Sequence, residues 1–344
     1  MKQTILYIII GTFLLGNCSS DKYITRNIEL KERKNFEIPT SVRAMVHFDN
    51  VVGFAGSEGV FGLIDLGKLT MNYSTISYNN QYPDFRMVSA TPTDFLMLSV
   101  ASPALLYKTE MNQMNLVYKD ENENIFYNAM IFRDEKTGFA IADPIDGNLC
   151  LIKTINGGIS WEKVTTHLPK LATNEFIFAA SNSSLCVLEN DIRFVTGGSK
   201  SHLYILSEQN YTKYPLPLQK GSSSKGAFSV DFYNENQGIV VGGDYKNLSE
   251  SIGNIALTSD GGKTWKTVEN TMGYLSCVKY IPNTSGNEII VTGDSGIWFS
   301  ADKGNTWKQI SKEGFYAIAC IDKHSIMASR NKQIKLFDLI NNKP

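Results

Sequence analysis

Three segments of the chain repeat one pattern: 154–161 (TINGGISW), 258–265 (TSDGGKTW) and 300–307 (SADKGNTW). Each reads Ser/Thr-x-Asp/Asn-x-Gly-x-Ser/Thr-Trp. Trp161, Trp265 and Trp307 close these segments, and only one further Trp, Trp298, occurs in the 344 residues. Trp265 and Trp307 stand 42 residues apart, and Trp161 and Trp265 stand 104 apart, or two units of 52. A repeat of about 40–50 residues made of short strands is the period of a β-propeller blade, which buries its faces only against neighbouring copies.

The text around each segment supports four strands per unit. An apolar run, a loop, and a Gly leading into a second apolar run recur in NAMIFRDEKTGFAIAD (128–143), SVDFYNENQGIVVGGD (229–244) and SCVKYIPNTSGNEIIVTGD (276–294). A third run leads into the repeated segment, and a fourth follows its Trp. Laid along the chain, the inner strands start near Arg43, Phe85, Tyr127, Phe178, Phe228, Tyr274 and Tyr316. Units 1, 2 and 4 carry decayed segments, of which Thr109 is a remnant. The last unit ends at IKLFDL (334–339), one strand short, and ITRNIEL (24–30) or NFEIPT (35–40) could supply the missing strand. Such closure removes an exposed sheet edge. The expectation is an all-β chain forming a single seven-bladed β-propeller over 41–340, closed by an N-terminal strand. A six-bladed or irregular closure is the lesser alternative.

The repeated segment resembles the Asp-box, or BNR repeat. Its chemistry is that of a self-satisfied turn. Asn156, Asp260 or Asp302 can accept hydrogen bonds from the turn's own N–H groups. Gly158, Gly262 and Gly304 suit a positive φ, and Trp161, Trp265 and Trp307 cover an apolar seam. These nine residues are expected to be structural rather than ligand-binding.

The chain opens MKQTILYIIIGTFLLGNCSSD, with a basic start and a short apolar run that fits a secretion signal better than a bilayer-spanning helix. Leu15-Gly16-Asn17-Cys18 resembles the lipobox of bacterial lipoproteins, with Asn17 in place of the usual small residue. The resemblance implies removal of residues 1–17 and lipidation of Cys18, leaving 18–40 as a tether and possible closing strand. It places the protein in the bacterial cell envelope, anchored to the membrane on its periplasmic face or at the cell surface. Cys150, Cys186, Cys277 and Cys320 fit no zinc spacing and are expected to be core residues.

A net charge of −1 argues against a nucleic-acid partner. No GxGxxG opens a helix, His47, His167, His202 and His324 lack ligand spacing, and GxSxG is absent, so no cofactor and no metal are expected. Asp120-x-Asn122-x-Asn124 lacks the Gly and closing acid of a calcium loop. Seven Arg in the whole chain leave few for the arginine cluster of a sialidase.

Longer stretches resemble the bacterial propellers similar to photosystem II stability and assembly factors, many of which carry an inherited oxidoreductase or glycosyl hydrolase label. The matching text is DFR (84–86), SPALLYKT (102–109), DPIDG (143–147), NEFIFAAS (174–181), TGG (196–198), KGAFSVDF (225–232), VGGDY (241–245) and GY (273–274). Asn128 and Leu275 depart from the family's usual Asp and Arg. In a propeller these pieces come to one end, so Arg43, Asp84, Arg86, Asn128, Asp143, Asp146, Glu175, Asp244, Tyr245 and Tyr274 form a candidate binding face. The expected function is a monomeric binding or assembly scaffold for a protein or glycan partner, without the oxidoreductase activity of the label. The alternative is a glycan hydrolase or lyase. It requires two carboxylates among Asp84, Asp143, Asp146, Glu175 and Asp244 to face one pocket.

Overall fold

The computed structural model describes residues 26–342 except 112, so the signal segment 1–17, Cys18 and the tether up to 25 lie outside the described residues. The described chain is all-β and forms seven blades around a central axis. The inner strands are Val42–Phe48, Phe85–Ala90, Tyr127–Phe132, Leu185–Val187, Lys225–Phe232, Leu275–Tyr280 and Ala317–Cys320. In six blades four antiparallel strands follow in chain order from axis to rim. In the seventh, the inner strand is followed by Ser325–Arg330 and Gln333–Asn341, and the N-terminal strand Ile28–Glu37 completes the sheet. The register pairs Ile28 with Asn341 and Glu37 with Gln333. The closing strand thus takes the end of one expected segment and the start of the other.

Burial peaks in the second strands and falls toward the rim, which follows how each strand is covered. Second strands such as Phe95–Ser99, Gly238–Asp244 and Ile289–Gly293 are buried at every position, because sheets cover both of their faces. Outer strands such as Thr70–Thr75 are polar and almost wholly exposed. The apolar side chains collect between adjacent blades. Met87, Leu98 and Leu106 of blade 2 meet Met130, Ile152 and Trp161 of blade 3 in one such cluster.

The fourth blade differs from the sequence expectation. Its inner strand begins at Leu185, not near Phe178. The residues before it are drawn off into a crossing: Glu175–Phe176 pairs with Gly197–Gly198, and Gly197 in turn pairs with Gly226 of blade 5. Two glycines make this close approach feasible, since a Cβ on Gly226 would stand 2.2 Å from the Gly197 Cα. Phe178 then stacks on Phe228 at 4.0 Å between ring centroids.

The three Trp-ending turns join third to fourth strands in blades 3, 5 and 6 and share one hydrogen-bond scheme. The first hydroxyl accepts from the N–H of the Gly four residues on: Gly158 N to Thr154 Oγ1 at 3.0 Å, Gly262 N to Thr258 Oγ1 at 2.9 Å, and Gly304 N to Ser300 Oγ at 2.9 Å. Asp260 Oδ1 accepts from Thr264 N at 2.9 Å and Asp260 Oδ2 from Thr264 Oγ1 at 2.6 Å; Asp302 does the same with Thr306 at 2.8 and 2.6 Å. The Thr264 bonds hold the Asp260 carboxyl down at about 2. Trp265 and Trp307 donate back to the carbonyls of Gly262 and Gly304, whereas the buried Trp161 Nε1 has no partner. Each of these three Gly also touches the preceding blade. A Cβ on Gly158, Gly262 or Gly304 would meet Leu96 at 2.6 Å, Leu203 at 2.2 Å or Leu257 at 2.8 Å. The turn is therefore both a hairpin and an inter-blade contact.

The four described cysteines are free thiols; Cys186 and Cys277 are buried, and Cys150 and Cys320 are partly so. Gly262→Ala tests the turn's second role. At φ +91° beside Leu203 it is expected to cost about 2 kcal/mol or more. Gly221→Ala, also at positive φ but with open space around it, should cost less. Equal urea midpoints for the two variants would contradict the inter-blade contact.

Candidate binding cavity

At the end of the propeller where the inner strands begin lies a cavity of about 590 Å³. Of the ten residues assigned to a binding face, Arg43, Arg86, Asp143, Tyr245 and Tyr274 line it. Arg43 and Arg86 are the second residues of the inner strands of blades 1 and 2. Arg43 reaches across the ring closure and lies over the Tyr316 ring of blade 7, 4.0 Å from its centroid. Burial and the neighbouring Arg86 charge push the Arg43 guanidinium below its ordinary value. Among the described residues no carboxylate stands within ion-pair distance of Arg43. Arg86 is paired with Asp84 at 3.0 Å, and Asp84 also accepts from Ser57 Oγ at 3.0 Å.

The same cavity carries an aromatic wall. Phe178 and Phe228 stack, Tyr245 meets both edge-on at 6.4 and 6.2 Å, and Tyr274 meets Phe228 edge-on at 4.9 Å. Burial pushes the Tyr274 phenol up, so its hydroxyl is a neutral donor.

The remaining assigned residues are engaged elsewhere. Asp146 is exposed, at φ +52° beside Gly147 at φ +77°, and forms the two-residue hairpin turn of blade 3. Glu175 is buried and accepts from Thr196 Oγ1 at 2.6 Å, Tyr204 OH at 3.2 Å and Ala172 N at 2.9 Å, with His202 Nδ1 at 2.9 Å. Burial opposes its charge, but the bonds from His202 and Thr196 outweigh burial and hold the carboxyl below its usual range. Glu175 therefore pins the crossing segment that carries Phe176 and Phe178 to the cavity. Asp244 accepts from Lys246 N at 2.9 Å and shapes the turn that presents Tyr245. Buried Asn128 donates to Phe126 O at 3.0 Å and to Asp143 Oδ1 at 3.1 Å. Of the five carboxylates weighed for glycan chemistry, only Asp143 lines the cavity.

Several lining residues were not assigned from sequence. The sequence marks Phe178, Phe228 and Tyr316 only as strand starts and does not distinguish Asp294 and Arg330, which pair at 3.4 Å. The aromatic residue recurring near the start of six of the seven units was the available signal. It reads as core until the ring is closed.

No family model matches the chain, and no curated protein matches it. Solved structures do. A structure described as YCF48 bound to D1 peptide shares 14% identity, with a TM-score of 0.65, covering 90% of this chain and 97% of that one. YCF48 from Cyanidioschyzon merolae shares 11%, with a TM-score of 0.62 and coverage of 90% and 99%. The WD40 β-propeller domain of Doa1 shares 13%, with a TM-score of 0.60 and coverage of 90% and 97%. What they share with this chain is the propeller.

Asp143 gives the cavity a pH dependence. Burial raises its carboxyl from 3.8 to about 6, against the opposing bonds from Ile177 N at 2.8 Å and Asn128. A carboxyl raised by folding penalises the native state once ionised. The penalty is absent below about pH 4 and complete above about pH 6. Asp143→Asn keeps an acceptor for Ile177 and is expected to add about 1–3 kcal/mol of stability at pH 7 and little at pH 3.5. A difference independent of pH in denaturant titrations would contradict this.

Proposed function

We propose that the chain is a lipid-anchored protein of the bacterial cell envelope whose propeller is a docking scaffold for a protein partner. The cavity is its recognition site, and the ligand is an extended segment carrying an acidic group beside an apolar side chain. One observation carries this reading: Arg43 and Arg86 share a single cavity with an aromatic wall. Guanidinium groups take carboxylates through charge-assisted, often bidentate bonds, and a desolvated aromatic pocket takes an apolar anchor. The solved YCF48 propeller with a bound D1 peptide supports a peptide as the class of ligand. The envelope location and the anchor rest on the lipobox-like run ending at Cys18. We assign the three Trp-ending turns as Asp-box repeats with a structural role, in keeping with their internally satisfied hydrogen bonds.

The test is capture of partners from envelope fractions by chemical crosslinking, followed by affinity measurement on the captured segment. Arg43→Ala and Arg86→Ala are each expected to weaken binding about tenfold or more. Unchanged affinity in both variants contradicts the assigned site. Cys18→Ser is expected to abolish lipid labelling and release the protein from membranes, and unchanged fractionation contradicts the anchor.

The glycan-active reading retains one supporting observation. Asp143, with its carboxyl at about 6, shares the cavity with Asp294, and a raised carboxyl is what a general acid requires. Cleavage of a glycan by the purified protein, lost in Asp143→Asn, would favour it over the scaffold.

A further inference from the structure

Strands alternate in direction through every blade, so the propeller has two ends. The cavity occupies the end where inner strands begin. The turns joining first to second and third to fourth strands occupy the other. The closing strand runs antiparallel to Gln333–Asn341 with Ile28 opposite Asn341. The described chain therefore starts at the end away from the cavity. Arg26 fixes it there through an ion pair with Glu288, which directly precedes the second strand of blade 6, and Lys308 Nζ donates to Asn27 Oδ1 at 2.7 Å.

That same end carries an exposed apolar surface on blades 2 and 3. Ile155 and Ile159 flank the blade 3 turn at 70% and 67% exposure, and Met111 tips the matching turn of blade 2 at 92%. The turn itself does not demand these isoleucines. The equivalent positions are Ser259 and Lys263 in blade 5, and Ala301 and Asn305 in blade 6. A cleft of about 530 Å³ runs beside Ile155 and Ile159, and one of about 680 Å³ beside Met111. Thr93 and Asp94 line both, so the surface is continuous. Lys108 neutralises Asp94 at 2.9 Å.

We infer that this end is a membrane-contact surface. Met111, Ile155 and Ile159 enter the headgroup region of the bilayer, and the cavity is held pointing away from the lipid. The inference rests on the anchor reading of Cys18. That residue lies eight positions before Arg26, a span of at most about 28 Å when fully extended. A tether this short keeps the end that bears it near the bilayer. Exposed Met111, Ile155 and Ile159 project from two neighbouring turns among the polar Thr93, Glu110, Glu135 and Lys136, an arrangement that suits shallow insertion of the apolar side chains at the headgroup level.

The test uses the lipidated full chain in phosphatidylcholine vesicles with or without bromine on the acyl chains. Ile159→Trp at the proposed contact and Ile252→Trp at the cavity end are compared with the unsubstituted protein as background. Brominated lipid is expected to quench about half of the emission added by Ile159→Trp and little of that added by Ile252→Trp. No quenching of either, or quenching of Ile252→Trp alone, overturns the inference while leaving the anchor intact. A purified mass without lipid at Cys18 overturns the anchor reading and this inference with it. A blue shift of the Ile159→Trp emission on adding soluble envelope proteins, with no quenching by brominated lipid, assigns the surface to a protein and overturns the lipid contact.

Discussion

The ladder between Ile28–Glu37 and Gln333–Asn341 is the contact on which the rest of the molecule depends. It joins segments about 300 positions apart, and the entropy of closing so long a loop grows only slowly with its length. One strand of hydrogen bonds therefore holds the ring shut and covers the edge that Gln333–Asn341 would otherwise expose. Arg33–Asp338 and Lys335–Glu32 pairs lie along the same ladder. Closure sets blade 7 beside blade 1, and only then does Arg43 come over Tyr316 and Arg330 reach the cavity rim. The cavity is thus a product of the ring, not of any one blade.

Between blades the fold relies on glycine as much as on bulk. The turns of blades 3, 5 and 6 press Gly158, Gly262 and Gly304 against leucines of the preceding blade, and Gly197 meets Gly226 where blades 4 and 5 cross. Side chains at these points would force the blades apart. The crossing also explains how the aromatic wall is built. Phe178 is released from the inner strand of blade 4, and Glu175, buried and fully bonded, holds it in place.

Much of this was legible in the sequence because the repeat constrains it. Trp161, Trp265 and Trp307 set the period, the period set seven blades, and the missing strand of the last unit pointed to an N-terminal donor. The blade 4 boundary was not legible. An apolar run containing Phe178 looks the same whether it pairs in a blade or crosses to the next one. The candidate face was legible only in part. Sequence places a residue near a strand end but does not say whether its side chain enters the channel, as Arg43 does, or closes its own turn, as Asp146 and Asp244 do. Asp294 and Arg330 lie in consecutive units, and only the packing of blade 6 against blade 7 shows that the two charges meet.

The central claim is that the ring builds one recognition cavity whose guanidinium groups and aromatic wall act together. The most direct measurement is a structure of the chain with its captured partner. The account predicts the partner's segment in the cavity, its acidic group within hydrogen-bonding distance of Arg43 or Arg86 and an apolar side chain against Phe178 and Phe228. A partner bound along the outer strands of the blades, with the cavity holding only water, would contradict it.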